Sequence, residues 1–71
     1  MTNFIMFRGK SKRGAQIQVK LDPYNRVWIY YPKARRRRLY IEEPVDVLAG
    51  ITKGFTGVKE RLLKDGYRLE A

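Results

Sequence analysis

The stretch "AQIQVKLDPYNRVWIYYPKARRRRLYIEE", residues 15–43, carries the pattern that decides the fold. In residues 15–21 apolar and polar side chains alternate, as they do in a strand with one buried face. The segment "DPYN", residues 22–25, has the residue types of a tight turn. Residues 26–31 are rich in β-branched and aromatic types, and residues 37–43 predict a further strand. We therefore expect a three-stranded antiparallel meander with short connections.

The segments on either side of this meander are less regular. Residues 4–8, "FIMFR", are mostly apolar and predict a short strand, either buried or added at the edge of the sheet. Residues 9–14, "GKSKRG", form a basic loop bounded by glycines. The last residues, "GYRLEA" at 66–71, are either a further short strand or a tail.

The hydrophobic period changes at Pro44 and predicts a helix over residues 44–65. Apolar residues recur every three or four positions, at Leu48, Ile51, Phe55, Val58 and Leu62. Gly66 is a natural stop for this helix. Because Gly50, Gly54 and Gly57 lower its helix propensity, a break within 52–57 into two shorter helices remains an alternative.

These elements predict one small α+β domain over residues 1–71. Its twisted antiparallel sheet of three to four strands is followed by a C-terminal helix packed on one face. Strand alternation assigns a mostly aliphatic set to the helix side: Ile17, Val19, Leu21, Val27, Ile29, Tyr31, Leu39 and Ile41. It assigns the other set to solvent: Gln16, Gln18, Lys20, Arg26, Trp28, Tyr30, Arg38 and Tyr40. The alternative is that the rings are core residues, covered by residues 4–7 or by a dimer partner.

The charge is strongly uneven along the chain. The net charge is +9, and residues 1–38 contain eleven basic residues against one acid, Asp22. Residues 39–71 contain five basic and six acidic residues. Because a bias for solubility alone has no reason to exclude acids from one half, this distribution predicts a surface that binds a polyanion.

The composition argues against enzymatic chemistry. There is no histidine and no cysteine, so the usual soft ligands of a zinc site are missing, and no glycine-rich phosphate loop is present. We expect no enzyme, no cofactor, no metal and no small-molecule substrate.

Glu42 and Glu43 are expected to begin the helix or to pair with the arginines, with a metal site as the alternative. The apolar runs are far shorter than a membrane span, and no signal peptide is recognisable, so we expect a cytoplasmic, nucleic-acid-associated protein.

Planar rings among cations suit a nucleic acid, because bases stack on rings and phosphates pair with cations. The sequence predicts a DNA-binding protein of architectural or regulatory function, with RNA as the other nucleic acid considered. The expected binding residues are Lys10, Lys12, Arg13, Lys20, Arg26, Trp28, Tyr30, Lys33, Arg35, Arg36, Arg37, Arg38 and Tyr40.

The order of strands and helix over residues 15–65, with its basic character, resembles two groups of proteins. One comprises the transcriptional-coactivator and Whirly-like single-strand binders, and the other the arm-binding domains of tyrosine integrases. The resemblance implies a sheet that contacts DNA, and it leaves open whether the DNA is single-stranded or duplex.

Two other functions stay open: a protein-interaction module or inhibitor that docks on an acidic partner, and a structural subunit of a ribonucleoprotein or virion. A homodimer is also considered, with residues 4–7 as a partner strand.

Overall fold

The computed structural model describes residues 4–43 and 51–70 of the chain. Its elements are β1 (Phe4–Lys10), β2 (Gln16–Leu21), β3 (Val27–Tyr31), β4 (Arg36–Ile41), α1 (Ile51–Lys64) and β5 (Arg68–Leu69). This confirms the predicted α+β class with an antiparallel sheet and a helix after the meander. The sheet has five strands where three or four were predicted, because β1 pairs along β2 and the short β5 pairs with β1.

The strand order in the sheet is β4-β3-β2-β1-β5, and every neighbouring pair is antiparallel. The chain therefore builds a four-stranded meander, crosses the sheet through α1, and returns on the far side of β1. In such a meander alternate connections lie at the same end of the sheet. The loops at 11–15 and 32–35 consequently share one end, and the turn at 22–25 lies at the other.

The core lies between the sheet and α1. Its buried members are Ile17, Val19, Leu21, Val27, Ile29, Val58 and Leu62. The predicted helix side of β2 and β3 is therefore confirmed, and so is the inward position of Val58 and Leu62 in the helical stripe. Leu48 and the side chains of Ile51 and Phe55 lie outside the described residues.

Helix α1 runs from Ile51 to Lys64 without interruption, so the break considered within 52–57 does not occur. The predicted start at Pro44 lies outside the described residues. The helix ends as predicted at Gly66, whose φ is 96°. The amide of Gly66 donates to the carbonyl of Leu63, and that of Tyr67 to the carbonyl of Leu62. This pair of bonds is the Schellman arrangement, and it requires the left-handed backbone that glycine adopts most easily.

Strand β4 departs from the predicted alternation. Trp28 pairs with Leu39, but Val27 pairs with Ile41, so the register shifts by one residue between these two pairs. The extra residue, Tyr40, forms a β-bulge and packs against the core. The predicted placement of Arg38 and Tyr40 on the solvent side is therefore wrong. The placement of Leu39 on the helix side is wrong as well, because Leu39 lies opposite Trp28.

Strand β1 is an interior strand of the sheet. A register shift between Ile5 and Phe7 brings both Met6 and Phe7 against the core. Phe7 lies opposite Val19 on the helix side, so this segment does not cover Trp28. Gly9 permits β5 to cross closely, because a Cβ built on it would lie 2.0 Å from the carbonyl oxygen of Arg68.

No helix in residues 4–43 and 51–70 combines the length and the apolar character that crossing a bilayer requires.

Candidate nucleic-acid interface

The sheet surface opposite α1, called here the open face, carries both rings and cations. Strand pairing places Trp28 opposite Lys20, Tyr30 opposite Arg37, and Arg8 opposite Gln18. Its residues are Ile5, Arg8, Lys10, Gln16, Gln18, Lys20, Arg26, Trp28, Tyr30, Arg37, Leu39 and Arg68. Two acids lie at its margins: Asp22, which bonds to Trp28, and Glu70, whose amide donates to the carbonyl of Arg8 at 2.8 Å. The open face is therefore predominantly basic, and two aromatic rings lie near its middle.

The basic end is a second group of cations, gathered where the loops at 11–15 and 32–35 meet. It consists of Lys12, Arg13, Lys33, Arg35 and Arg36. Lys12 and Arg13 of the first loop share a cleft of about 280 Å³ with Tyr31, the residue that precedes the second loop. Asp65 also lines this cleft, and its carboxylate accepts a hydrogen bond from the Tyr40 hydroxyl. The basic end adjoins the open face through Lys10 and Arg37.

The hairpin loop that carries the arginines is tight. The amide of Arg35 donates to the carbonyl of Pro32 at 3.3 Å, and Arg35 has a φ of 51°. A positive φ is uncommon for a residue other than glycine, and here it follows from closing the turn. Residues Arg35 to Arg38 are all exposed. Because strand alternation begins at Arg36, the four arginines do not form one patch: Arg37 lies on the open face, and Arg36 and Arg38 project to the other side.

Asp22 organises the edge of the open face. One carboxylate oxygen accepts from the backbone amides of Tyr24 and Arg26, each at 2.9 Å. The other accepts from Arg26 Nε at 2.8 Å and from Trp28 Nε1 at 2.9 Å. Burial of Asp22, which is 8% exposed, acts to raise its pKa, but these hydrogen bonds outweigh burial and lower the pKa to about 2. Asp22 therefore stays ionised and fixes both the indole ring and the Arg26 side chain.

Cations cover the rings of the open face. The guanidinium carbon of Arg37 lies 4.7 Å from the centroid of the Trp28 ring, and Lys20 Nζ lies 4.4 Å from that of Tyr30. Arg26 lies farther from Trp28, at 5.7 Å, and also contacts the exposed ring of Tyr24 at 5.4 Å. Trp28 and Tyr30 are half-buried, and cationic side chains lie over both rings on this face.

Arg38 and Tyr40 belong to a separate cluster on the helix side. Arg38 donates to the Tyr67 hydroxyl at 2.9 Å, and Tyr40 donates to Asp65. Burial, together with the hydrogen bond to Asp65, raises the pKa of Tyr40. The ring of Tyr67 packs edge-on against Tyr40 at 6.0 Å. These contacts tie β4 to the segment after α1, so the two residues stabilise the fold and are not part of the open face.

The remaining predicted site residues fall into two groups. Lys10, Lys20, Arg26, Trp28, Tyr30 and Arg37 share the open face, and Lys12, Arg13, Lys33, Arg35 and Arg36 form the basic end. Sequence reasoning missed Arg8, which alternation from Lys10 would have placed beside Gln18. It also missed the role of Asp22, for which the only signal was an acid at the first position of a turn.

Glu42 and Glu43, which follow β4, form no ion pair with an arginine among the described residues. Within residues 4–43 and 51–70, Arg26–Asp22 is the one ion pair, and Glu42 and Glu43 are exposed. They line a cleft with Tyr40 and Arg61. The same described ranges contain no group of three histidine, cysteine or acidic side chains arranged to hold a metal ion.

Comparison with family models, with curated proteins and with solved structures gives no match. The surface itself is therefore the basis for assigning a function.

Proposed function

We propose that this protein binds nucleic acid through the open face and the basic end, with DNA as the favoured ligand and no enzymatic activity. One observation carries the proposal. The topology gathers cations from separate parts of the sequence onto two adjoining surfaces, and the open face combines them with the rings of Trp28 and Tyr30. Its function would be architectural or regulatory.

Each part of the surface would make a different contact. The exposed cations of the basic end would pair with phosphates, which position a nucleic acid without reading its sequence. The rings of Trp28 and Tyr30 would accept unpaired bases, each stacked base being worth about 1 to 3 kcal/mol. Lys20 covers the ring of Tyr30 and is a long, flexible side chain, so a base stacked there would displace it toward the phosphates. Arg37 contacts the ring of Trp28 and would stay there, beside the bound base.

The test is a binding comparison of single-stranded DNA, duplex DNA and RNA of equal length. Trp28 is the only tryptophan of the chain, so its fluorescence reports on the open face. We expect binding with quenching by single-stranded DNA, because a stacked base contacts the indole directly. Tight duplex binding with unchanged fluorescence would move the site to the basic end. Failure to bind any of the three at low salt would refute the proposal.

A second function is favoured by the position of β4 at the edge of the sheet. An edge strand has unpaired backbone groups, and an extended acidic segment of a partner protein could add to it and pair with Arg36 and Arg38. Such a complex would depend on backbone hydrogen bonds and apolar contacts as well as charge. It would therefore persist at a salt concentration that releases nucleic acid, and it would form in the absence of nucleic acid.

A further inference from the structure

Among the arginines of the run at 35–38, Arg37 is the one that lies on the open face. It projects from β4 onto the open face, directly opposite Tyr30 on β3. Its guanidinium carbon lies 4.7 Å from the centroid of the Trp28 ring. The charged group is therefore held beside both rings on which bases would stack, whereas the arginines of the basic end lie beyond the sheet.

Arg37 also differs from Arg26 and Arg38 in what its nitrogen atoms contact. Arg26 donates to the carboxylate of Asp22, and Arg38 donates to the hydroxyl of Tyr67. In the part of the chain that the structure describes, no residue accepts a hydrogen bond from the Arg37 side chain, and no acid pairs with it. Its N–H donors are thus available to a ligand, although its position is already restricted by the ring.

A guanidinium that lies over a ring and has free donors is suited to a planar pair of acceptors. Two parallel N–H groups of arginine match the O6 and N7 atoms of guanine, while adenine presents a donor at the position of O6. A base bound edge-on to Arg37 would lie in the plane of the guanidinium and beside the rings of the open face. Phosphates can also accept two hydrogen bonds from one arginine, but the exposed cations of the basic end are available to pair with them.

We propose that Arg37 gives the open face a preference for guanine, which it recognises through O6 and N7. This inference rests on the proposed function, since it requires that bases reach the open face. On the open face Arg37 would distinguish guanine from the other bases, and Trp28 would hold its guanidinium in place. Arg26 has no such role, because Asp22 occupies its Nε donor and compensates its charge.

The test uses single-stranded DNA in which isolated guanines are separated by thymines, so that the guanines cannot assemble with one another. A matched strand carries 7-deazaguanine, which replaces N7 by C–H and leaves the phosphates and O6 unchanged. We expect the unmodified strand to bind the natural protein about fivefold more tightly or better, as the loss of one bond of a bidentate pair implies. Equal affinity for the two strands would overturn the inference.

Two variants show whether Arg37 causes the difference in affinity between the two strands. Arg37→Met keeps a long side chain but removes every hydrogen-bond donor, so it should bind both strands with equal affinity. Arg35→Met makes the same chemical change in the hairpin loop and should keep the full difference between the strands, although its affinity for both falls. Retention of the difference in Arg37→Met would contradict the assignment. Absence of binding to every strand would instead refute the proposed function itself, and this inference with it.

Discussion

Asp22 links the fold to the open face at the scale of a single residue. Its carboxylate closes the turn at 22–25 through two backbone amides and holds Arg26 and Trp28 through their side chains. All four donors lie within four positions of one another in the chain, so the contacts form as soon as the β2–β3 hairpin does. The turn thereby helps to build the open face, because the indole ring cannot rotate away without breaking its bond to Asp22.

The lowered pKa of Asp22 predicts a defined acid dependence of stability. The folded-state pKa of about 2 lies below the ordinary value of 3.8, so ionised Asp22 stabilises the folded state. This contribution, about 2 kcal/mol, is fully present above pH ~4 and is lost as the pH falls through ~2. Urea unfolding of the natural protein between these pH values should show the loss.

Asp22→Asn is the matched variant for that experiment. Its side chain does not titrate, and its amide N–H₂ would face the Trp28 Nε1 donor, so the variant should be less stable at neutral pH. The difference in unfolding free energy between the two proteins should shrink toward acid. A difference that stays constant from pH ~6 to pH ~2 would show that Asp22 is not the titrating group.

At the scale of elements, the predictability of each strand depended on whether it contained a bulge. β2 and β3 alternate regularly where they pair with each other, and the faces of Ile17, Lys20 and Trp28 followed from the sequence alone. In β4 the bulge at Tyr40 reverses the alternation. It coincides with contacts from Tyr40 to Asp65 and Tyr67, which lie more than twenty positions away, so no local pattern could reveal it.

Two glycines with opposite surroundings test the packing of these elements. Gly9→Ala should destabilise the protein by about 1 to 3 kcal/mol, because the new Cβ collides with the backbone of Arg68 and β5 must move from β1. Hydrogen exchange should then accelerate at the Glu70 amide, which bonds to the carbonyl of Arg8. The measurement is denaturant unfolding together with amide exchange.

Gly57→Ala is the control for that substitution. Gly57 is exposed in α1, and a Cβ there meets nothing within 4 Å. The change should stabilise the helix by about 0.5 to 1 kcal/mol. If Gly9→Ala raised stability as Gly57→Ala is expected to do, the described close pairing of β5 with β1 at Gly9 would be incorrect.

At the scale of the whole molecule, the strand order determines how the uneven charge of the sequence is distributed over the surface. Composition alone indicated a cationic N-terminal half and hence a polyanion partner. It could not show that the loops at 11–15 and 32–35 lie at one end of the sheet, because this follows from strand order. Nor could it show that the run "RRRR" is divided between two sides, which depends on the register of β4 with β3.

The summed charge predicts a steep dependence of binding on salt. If about six phosphates are contacted, affinity for duplex DNA should fall roughly a thousandfold between about 50 and 200 mM monovalent salt, as bound counterions are released. The measurement is a titration by fluorescence anisotropy at several salt concentrations. A flat dependence would exclude phosphate pairing as the main source of affinity and would favour the protein-interaction function.

The proposed binding depends on the cations of the open face and the basic end and not on net charge in general. Lys20→Glu and Lys59→Glu test it most directly, because they change the net charge equally, one on the open face and one on the exposed side of α1. The dissociation constant for one DNA strand, measured for both variants at the same salt concentration, should rise about tenfold or more for Lys20→Glu and much less for Lys59→Glu. Equal weakening of the two variants would contradict the account.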